Sequence, residues 1–380
     1  MDEPSTRQMS HFAFLWPALA AASASEFAAA VAKQWADFAA PEHQKPTGEP
    51  HWATPNSIVL ELNTVRLRDF STAPEGFATL LCAPFALHGA TVTDFMPGHS
   101  LVAALRAAAR HRLFVADWRS ATPEMRFLTI DDYLAALNVL VDELGGSVDL
   151  VGLCQGGWLS LLYAARFPDK VRKLAIAGAP IDIAAAPSAL SAIVDANPLA
   201  VFRELVRLGD GRVLGRRVLE FWAPPAQENV DIYRLLQTRL PIESAAFAAL
   251  ADAFRRWHAW TVDLPGVYYL EVIEKLYRHN ALAAGGFVAL GQTIDLKRLK
   301  TPLYLLAARD DELVSPPQLF GLARLVGTPA NRIVTAMAPC RHLGLFMGED
   351  ILKEHWPRIA QWLGQPKGVS EAGAPDNAAH

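Results

Sequence analysis

The sequence is poor in cysteine and has almost no net charge. Its 380 residues include three cysteines, Cys82, Cys154 and Cys340, which are too few and too widely spaced for a disulfide framework. Lysine plus arginine number 35 and aspartate plus glutamate 39, so the formal charge of −4 gives no electrostatic reason to expect a nucleic-acid partner. The eleven histidines form no HExxH or comparable ligand motif, so we expect no metal. These absences favour a reducing, cytoplasmic setting.

A long disordered chain is also excluded. Hydrophobic residues make up 52% and charged residues 19%, which predicts a large core formed either by one domain with an inserted subdomain or by two domains. Residues 12–32 are apolar enough to suggest a signal peptide. However, the acidic start at Asp2 and Glu3 and the interruptions at Pro17 and Glu26 argue against one. We expect an alanine-rich helix that packs on the protein or on an apolar partner, with no transmembrane span.

From residue 54, short apolar runs alternate with helical stretches. This alternation is typical of right-handed crossovers and a mainly parallel sheet. Strands are predicted at 57–62, 65–70, 78–83, 112–117, 148–153, 173–178, 302–307 and 332–336, and helices at 100–109, 131–144 and 351–363. The strand pattern disappears between about 182 and 289, where proline-punctuated helices are expected. The predicted units are an N-terminal helical extension (1–53), a core in two parts (54–182 and 290–364), a helical cap (183–289) and a disordered tail (365–380).

The strand at 148–153 runs into the pattern G-x-C-x-G, formed by Gly152, Cys154 and Gly156, and a helix follows. This arrangement is typical of a nucleophile elbow, a strained turn in which side chains at the two glycines would clash with neighbouring elements. The helix start favours the thiolate form of Cys154. The pattern predicts a cysteine nucleophile in an α/β-hydrolase fold, with a mainly parallel central sheet flanked by helices and an inserted helical cap.

A cysteine nucleophile needs a base and a carboxylate that orients it, and in this fold the chain order is nucleophile, acid, histidine. The loop after the strand at 302–307 carries three acidic residues. We predict Asp311 as the acid, with Asp310 as the alternative and Glu312 as a solvated residue of the loop. His342 follows the last strand and is the predicted base.

The oxyanion of the reaction needs two backbone N–H donors. One is expected from Gln155, the residue after the nucleophile. The other is expected from the loop after the strand at 78–83, where Phe85 and Ala86 are both candidates.

Several motifs appear in a fixed order over residues 54–363. They are Asp117-Trp118, Gly152-Leu153-Cys154-Gln155-Gly156-Gly157, Pro168-Asp169-Lys170-Val171, Asp263-Leu264-Pro265-Gly266, Asn280 and Trp356-Pro357. Together they resemble the polyhydroxyalkanoate (PHA) synthases, especially the short type that works with a second subunit (class III). Three features depart from that family: Glu312 stands where it usually has His, Arg341 where it has Gly, and Trp257-His258-Ala259-Trp260 where it has Trp-Asn-x-Asp.

The resemblance implies a cofactor-independent acyltransferase whose substrate is a 3-hydroxyacyl-CoA and whose product is a polyester. Cys154 would carry the acyl chain, His342 would be the general base, and Asp311 would partner the histidine or activate a hydroxyl. The implied partners are a second copy, a second synthase subunit or the surface of a polymer granule, so the implied location is the cytoplasm or a granule.

Other segments resemble the intracellular polyhydroxybutyrate depolymerases instead. These segments are Gly178-Ala179-Pro180-Ile181-Asp182 and Gly344-Leu345-Phe346-Met347-Gly348, whereas the glycine pair Gly156-Gly157 favours the synthases. The two reactions differ in whether a hydroxyl or water accepts the acyl group. Aromatic residues of the cap are predicted either to exclude water and hold polyester or simply to pack on the core: Phe221, Trp222, Trp257, Trp260, Tyr268 and Tyr269. A third hypothesis is an inactive fold whose cap binds a granule or a partner.

Overall fold

The computed structural model describes residues 48–108, 112–222 and 229–366, without the side chains of 219–222. The predicted helix before residue 48 and the predicted tail after residue 366 lie outside these residues. So do the side chains of Phe221 and Trp222.

One twisted sheet of eight strands forms the centre of the fold. In chain order its strands are β1 (Ser57–Glu61), β2 (Val65–Asp69), β3 (Thr79–Cys82), β4 (Leu113–Trp118), β5 (Val148–Leu153), β6 (Val171–Ala177), β7 (Leu303–Ala308) and β8 (Ile333–Ala338). Their spatial order is β1-β2-β4-β3-β5-β6-β7-β8. β2 runs antiparallel to both of its neighbours, and the remaining pairs are parallel. The prediction of a mainly parallel sheet is confirmed.

The central strands form where the sequence is apolar on both faces, because helices cover both sides of a parallel sheet. Every residue of β3, β4, β5, β6 and β7 is buried. The charges buried in this layer are paired: the Arg172 guanidinium donates to Asp149, and the Lys173 ammonium donates to the backbone carbonyl of Trp362. A buried cation without such acceptors would cost several kcal/mol.

Helices flank the sheet and fill the connection between β6 and β7. They are α1 (Leu101–Ala107), α2 (Ile130–Glu143), α3 (Gln155–Arg166), α4 (Ala189–Ala196), α5 (Leu199–Leu208), α6 (Gly215–Trp222), α7 (Asn229–Leu236), α8 (Ala245–Ala259), α9 (Gly266–Glu271), α10 (Ala281–Ala284), α11 (Pro316–Phe320), α12 (Leu322–Leu325), α13 (Gly344–Met347), α14 (Glu349–Glu354) and α15 (Trp356–Gly364). α9 continues as a π-helical segment, Val272–Arg278. Thr129 and Asp132 form a capping box that starts α2.

The connection between β6 and β7 is mostly helical, but the prediction that it holds no strand is wrong. Arg212–Val213 pairs with Leu264–Pro265 in antiparallel fashion. A second short pair joins Val288–Ala289 to Gln292–Thr293. Two-residue strands carry too little periodicity to be recognised in a sequence. The division of the chain into a core and a cap stays a prediction.

The predicted closing helix at 351–363 is two helices, α14 and α15, which meet at His355. Pro357 explains the break, because a proline has no N–H to donate to the carbonyl four residues earlier and is tolerated in a first helical turn.

Candidate active site

Four loops that the sequence analysis singled out meet at one edge of the sheet. They follow β3, β5, β7 and β8, which run parallel to one another and lie within five consecutive positions of the strand order. The carboxyl ends of parallel strands share an edge, where ligands of α/β sheets usually bind. The sheet thereby brings together residues that are far apart in the chain.

Cys154 lies at the sharp turn between β5 and α3. Its backbone has φ +48° and ψ −118°, a conformation that costs a residue with a side chain about 1–3 kcal/mol. Two hydrogen bonds hold the turn: the Cys154 N–H donates to the Ala177 carbonyl at 2.9 Å, and the Gly157 N–H donates to the Cys154 carbonyl at 2.8 Å. This geometry is the strained strand-to-helix turn that the sequence predicts at Cys154, whereas the role of Cys154 as nucleophile stays a prediction.

The glycines around Cys154 are required by close packing. A Cβ on Gly156 would lie 2.2 Å from the carbonyl oxygen of Cys82, and a Cβ on Gly152 would lie 2.6 Å from the Cα of Gly157. These contacts are with backbone atoms, which cannot rotate away. α3 therefore starts directly against the end of β3, next to the loop that is expected to supply an oxyanion donor.

His342 and Asp311 are in direct contact. The two carboxylate oxygens of Asp311 lie 2.8 and 3.0 Å from Nδ1 of His342. Asp311 also accepts from the backbone N–H groups of Leu313 and Val314, each at 2.9 Å. The neighbouring Asp310 is exposed. Of the two acids that the sequence left as candidates, the one that touches the histidine is Asp311.

Charge and burial act in opposite directions on His342. Burial alone lowers the pKa of an imidazole, and it is the largest single effect here. The nearby Asp311 carboxylate, which accepts a hydrogen bond from the imidazole, and the Cys154 sulfur together outweigh it and raise the pKa of His342 well above its usual range. The protonated imidazole is thus favoured between these two partners.

We expect the stability that His342 contributes to be lost as the pH rises. The pKa of such a histidine is higher in the folded than in the unfolded protein. The residue contributes its full stabilisation when the pH is below its pKa in the unfolded protein, about 6.5, and this stabilisation is lost as the pH rises through its pKa in the folded protein. The free energy of unfolding of the wild type should therefore fall, relative to that of His342→Gln, as the pH rises above about 6.5. Urea titrations at several pH values measure this difference.

A matched control titrates in the opposite direction. Burial lowers the pKa of His99, although its Nδ1 contacts the Met347 carbonyl at 2.8 Å. The unfolded protein binds the proton of this residue more tightly, so the wild type should gain stability relative to His99→Gln as the pH rises. The stability of the wild type should thus change in opposite directions relative to His342→Gln and to His99→Gln. A change in the same direction relative to both variants would contradict the charge arrangement around His342.

Glu312 is not the solvated loop residue that the sequence analysis expected. Its carboxylate accepts from the backbone N–H of His342 at 3.2 Å and pairs with Arg341 at 3.4 Å. Glu312 and Arg341 carry opposite charges, and both stand at positions where the chain departs from the PHA synthases. This coincidence is the signal in the sequence that could have revealed their contact.

The predicted oxyanion donors lie on either side of the junction between β3 and α3. The ring of Phe85 is buried, with its centroid 4.7 Å from that of Tyr133 and 5.3 Å from that of Tyr268. Within the described residues, the backbone N–H groups of Gln155, Phe85 and Ala86 have no acceptor. Both Phe85 and Ala86 stay candidates for the second donor.

Aromatic residues of the predicted cap pack against the loop after β3. A Cβ on Gly89 would lie 2.5 Å from the ring of Trp260, so the glycine permits this contact. The ring of Trp257 lies 4.6 Å from that of His88, which in turn lies 4.8 Å from that of His258. Burial, followed by the neighbouring His258, lowers the pKa of His88 to about 3. His88 is therefore a neutral packing residue at neutral pH.

Sequence reasoning missed the side-chain contacts of Gln155. Its oxygen accepts from the Trp158 indole at 2.6 Å, and its amide nitrogen donates to the Tyr277 hydroxyl at 3.4 Å. These contacts fix the start of α3 to the π-helical segment. The family motif around Gln155 was visible, but its partner lies 122 residues away in the chain.

The other two cysteines, Cys82 and Cys340, are buried. Burial raises the pKa of both Cys82 and Cys340 to about 12, and three neighbouring carboxylates contribute at Cys340. Both are therefore protonated thiols at neutral pH. Across residues 48–108, 112–222 and 229–366, no three metal-ligating side chains cluster, and no helix is long and apolar enough to cross a membrane.

Comparison with known proteins relates this geometry to a family. A family model described as the alpha/beta hydrolase family matches residues 85–354. The poly(3-hydroxyalkanoate) polymerase subunit PhaC of Allochromatium vinosum is 29% identical over 306 residues, covering 77% of this chain and 82% of that protein. The PhaC subunit of Synechocystis sp. is 30% identical over 288 residues, covering 72% of this chain and 74% of that protein. The chain belongs to the alpha/beta hydrolase family and, within it, to the poly(3-hydroxyalkanoate) polymerases.

Family membership identifies the chain as an enzyme and confirms the predicted α/β-hydrolase fold. Solved structures agree on the fold. A monoacylglycerol lipase from Paleococcus ferrophilus superposes with a TM-score of 0.51 at 16% identity, over 79% of this chain and 98% of that one. A soluble variant of monoglyceride lipase from Saccharomyces cerevisiae gives 0.52 at 11% identity, over 86% and 98%. The catalytic roles of Cys154, His342 and Asp311 stay predictions.

Proposed function

We propose that this chain is a PHA synthase, an acyltransferase that moves 3-hydroxyacyl groups from CoA thioesters through Cys154 onto a growing polyester. The observation that carries the proposal is the pairing of His342 with Asp311 at the edge of the sheet where Cys154 occupies its strained turn, with the Cys154 sulfur near enough to raise the pKa of His342. The relatives named as poly(3-hydroxyalkanoate) polymerases support the choice of substrate. The reaction calls for no cofactor, because the nucleophile, the base and the orienting carboxylate are all side chains of the chain.

The first half of the reaction forms an acyl-enzyme. Because Nδ1 of His342 faces Asp311, Nε2 is the nitrogen that accepts the thiol proton of Cys154. The thiolate sulfur attacks the carbonyl carbon of the thioester, and the bond from that carbon to the CoA sulfur breaks. His342 then returns its proton to the departing CoA. The acyl group remains on Cys154 as a thioester.

Backbone donors would stabilise the negative oxygen of the intermediate. In this proposal they are the N–H of Gln155 and that of either Phe85 or Ala86. A single donor of this kind typically contributes about 10²–10³-fold to kcat. The close approach of Gly156 to the carbonyl of Cys82 supports the pairing of these two segments.

The second half decides between polymer and hydrolysis. His342 removes a proton from the acceptor, whose oxygen attacks the acyl carbon and releases the Cys154 thiolate. Cys154 is 8% exposed and His342 2% exposed, so bulk water has little access to the thioester. This burial favours a hydroxyl that arrives with a bound 3-hydroxyacyl group, and hence polymer growth.

The experiment follows both products of a 3-hydroxyacyl-CoA. We expect the protein to release free CoA, detected with a thiol-reactive dye, and to form oligomers, detected by mass spectrometry. Because the polymerase relatives are named as subunits, we further expect a second synthase subunit to raise the rate. A second copy of the chain and a polymer granule are alternative partners that the same assay can test. Protein alkylated at Cys154 is the control for background thioester hydrolysis.

Two outcomes would contradict the proposal. Monomeric hydroxy acid as the only product, together with release of monomer from preformed polyester, would identify a depolymerase. Absence of CoA release at every acyl chain length, with and without a second subunit, would exclude the synthase.

A further inference from the structure

The loop that carries Asp311 and the loop that carries His342 continue the pairing of β7 with β8. Beyond the last residues of the strands, the N–H of Arg309 donates to the carbonyl of Ala338 at 2.8 Å. The N–H of Asp310 donates to the carbonyl of Cys340 at 3.1 Å. The acid loop is thus tied, residue by residue, to the loop that leads to the histidine.

The next contact between these loops uses a side chain. The backbone N–H of His342 donates to Oε2 of Glu312 at 3.2 Å, so a carboxylate oxygen takes the place of a backbone carbonyl. Asp311, the preceding residue, holds the imidazole of the same histidine. Two consecutive acidic residues therefore hold one histidine at two points, the ring and the backbone.

Arg341 fixes the orientation of this carboxylate. Its guanidinium lies 3.4 Å from Oε1 of Glu312, which leaves Oε2 for the N–H of His342. The Arg341 side chain is 48% exposed and that of Glu312 31% exposed. An ion pair this exposed adds about 0–1 kcal/mol to stability, so global stability does not account for the arrangement.

We propose that Glu312 is a positioning residue that fixes the backbone of His342 relative to Cys154, and that Arg341 acts through Glu312. The inference rests on the proposed function in one respect, that His342 is the base of Cys154. Proton transfer between a thiol and an imidazole needs hydrogen-bond geometry, and small displacements of a catalytic group reduce rates by large factors. Loss of the hydrogen bond between the His342 N–H and the Glu312 carboxylate should therefore slow the reaction of the Cys154 thiol without unfolding the protein.

The test measures how fast iodoacetamide alkylates Cys154, with the modified peptide quantified by mass spectrometry. The reagent reacts with thiolates, so Cys82, whose pKa burial raises to about 12 and which no acidic residue of this loop influences, serves as the internal control. We expect Glu312→Ala to slow alkylation about tenfold. Glu312→Gln should stay within about threefold of the wild type, because its amide oxygen still accepts from the His342 N–H.

A double-mutant cycle tests the role of Arg341. We expect Arg341→Ala to slow alkylation about threefold in the wild type and to have no effect in Glu312→Ala. The matched control is Arg239→Ala, which removes an ion pair of 3.3 Å with Asp350, also at the surface. This control should alkylate at the wild-type rate, and all variants should keep the wild-type melting temperature within a few degrees. In steady-state assays, Glu312→Ala should lower kcat and leave KM unchanged.

Wild-type alkylation in Glu312→Ala would overturn the role of Glu312, and so would equally slow alkylation in the alanine and glutamine variants. A full effect of Arg341→Ala in the absence of Glu312 would overturn the role of Arg341. The proposed function is tested separately by His342→Ala. If this variant alkylates as fast as the wild type, the pairing of Cys154 with His342 is wrong, whereas absence of CoA release by a normally alkylated wild type contradicts only the synthase reaction.

Discussion

Cys154→Ala should abolish CoA release from 3-hydroxyacyl-CoA, with kcat at least about 10³-fold below that of the wild type. In the proposed mechanism the variant removes the sulfur atom that would hold the acyl group, while His342 and Asp311 stay in place. Stability should change by no more than about 1 kcal/mol, because a single sulfur atom is lost at a site already held by backbone contacts. CoA release and thermal unfolding of the same preparation provide both measurements.

The controls are the two other cysteines. Cys340 lies two residues before His342, and Cys82 ends β3 beside the elbow, so each tests whether a nearby thiol could substitute for Cys154. Cys340→Ala and Cys82→Ala should both stay active, since burial raises the pKa of these thiols to about 12. Cys154→Ser should keep weak hydrolysis, because an alcohol depends more strongly on the base. Full turnover by Cys154→Ala would refute the assignment.

The elbow could be predicted because its determinants are local. A strand, two glycines around a cysteine and a following helix are contiguous in the chain. Each glycine is needed because the turn brings its Cα close to backbone atoms of a neighbouring segment. At Gly156, for example, a Cβ would lie 2.2 Å from the Cys82 carbonyl oxygen. The strand that leads to the acid loop, β7, was also predictable, because it is a buried parallel strand of continuously apolar sequence. β8, which leads to His342, is the edge strand of the sheet, but its sequence is still mostly apolar.

Contacts between loops depend on strand register, which the sequence does not state. Glu312 reaches the N–H of His342 because β7 and β8 pair with Ala308 opposite Ala338, and this register extends into the loops. Nothing local to Glu312 distinguishes it from a solvated carboxylate. The same limit applies to Trp260, whose contact with Gly89 joins segments 171 positions apart in the chain, and to the second oxyanion donor, for which Phe85 and Ala86 remain equivalent.

The structure, and not the sequence, distinguishes Asp311 from Asp310 as the acid that contacts His342. Asp311 accepts from the N–H groups of Leu313 and Val314, which turns its carboxylate inward, whereas Asp310 is exposed. In the sequence the two are adjacent acids on one loop. Mutation of each to asparagine preserves size and tests which one acts on the histidine.

Asp311→Asn should lower kcat about 10³–10⁴-fold with little change in KM. The two backbone N–H groups that donate to Asp311 should keep the amide oxygen of the asparagine, so its NH₂ group would face Nδ1 of His342. That nitrogen must then accept a hydrogen bond, which moves the ring proton to Nε2, where it faces Cys154. An imidazole protonated at Nε2 cannot take the proton of the thiol. Single-turnover acylation by 3-hydroxyacyl-CoA measures this step directly, and Asp310→Asn, the control, should stay within about twofold of the wild type. Equal rates in the two variants would contradict the role of Asp311, and a large loss confined to Asp310→Asn would assign the carboxylate to the neighbouring residue instead.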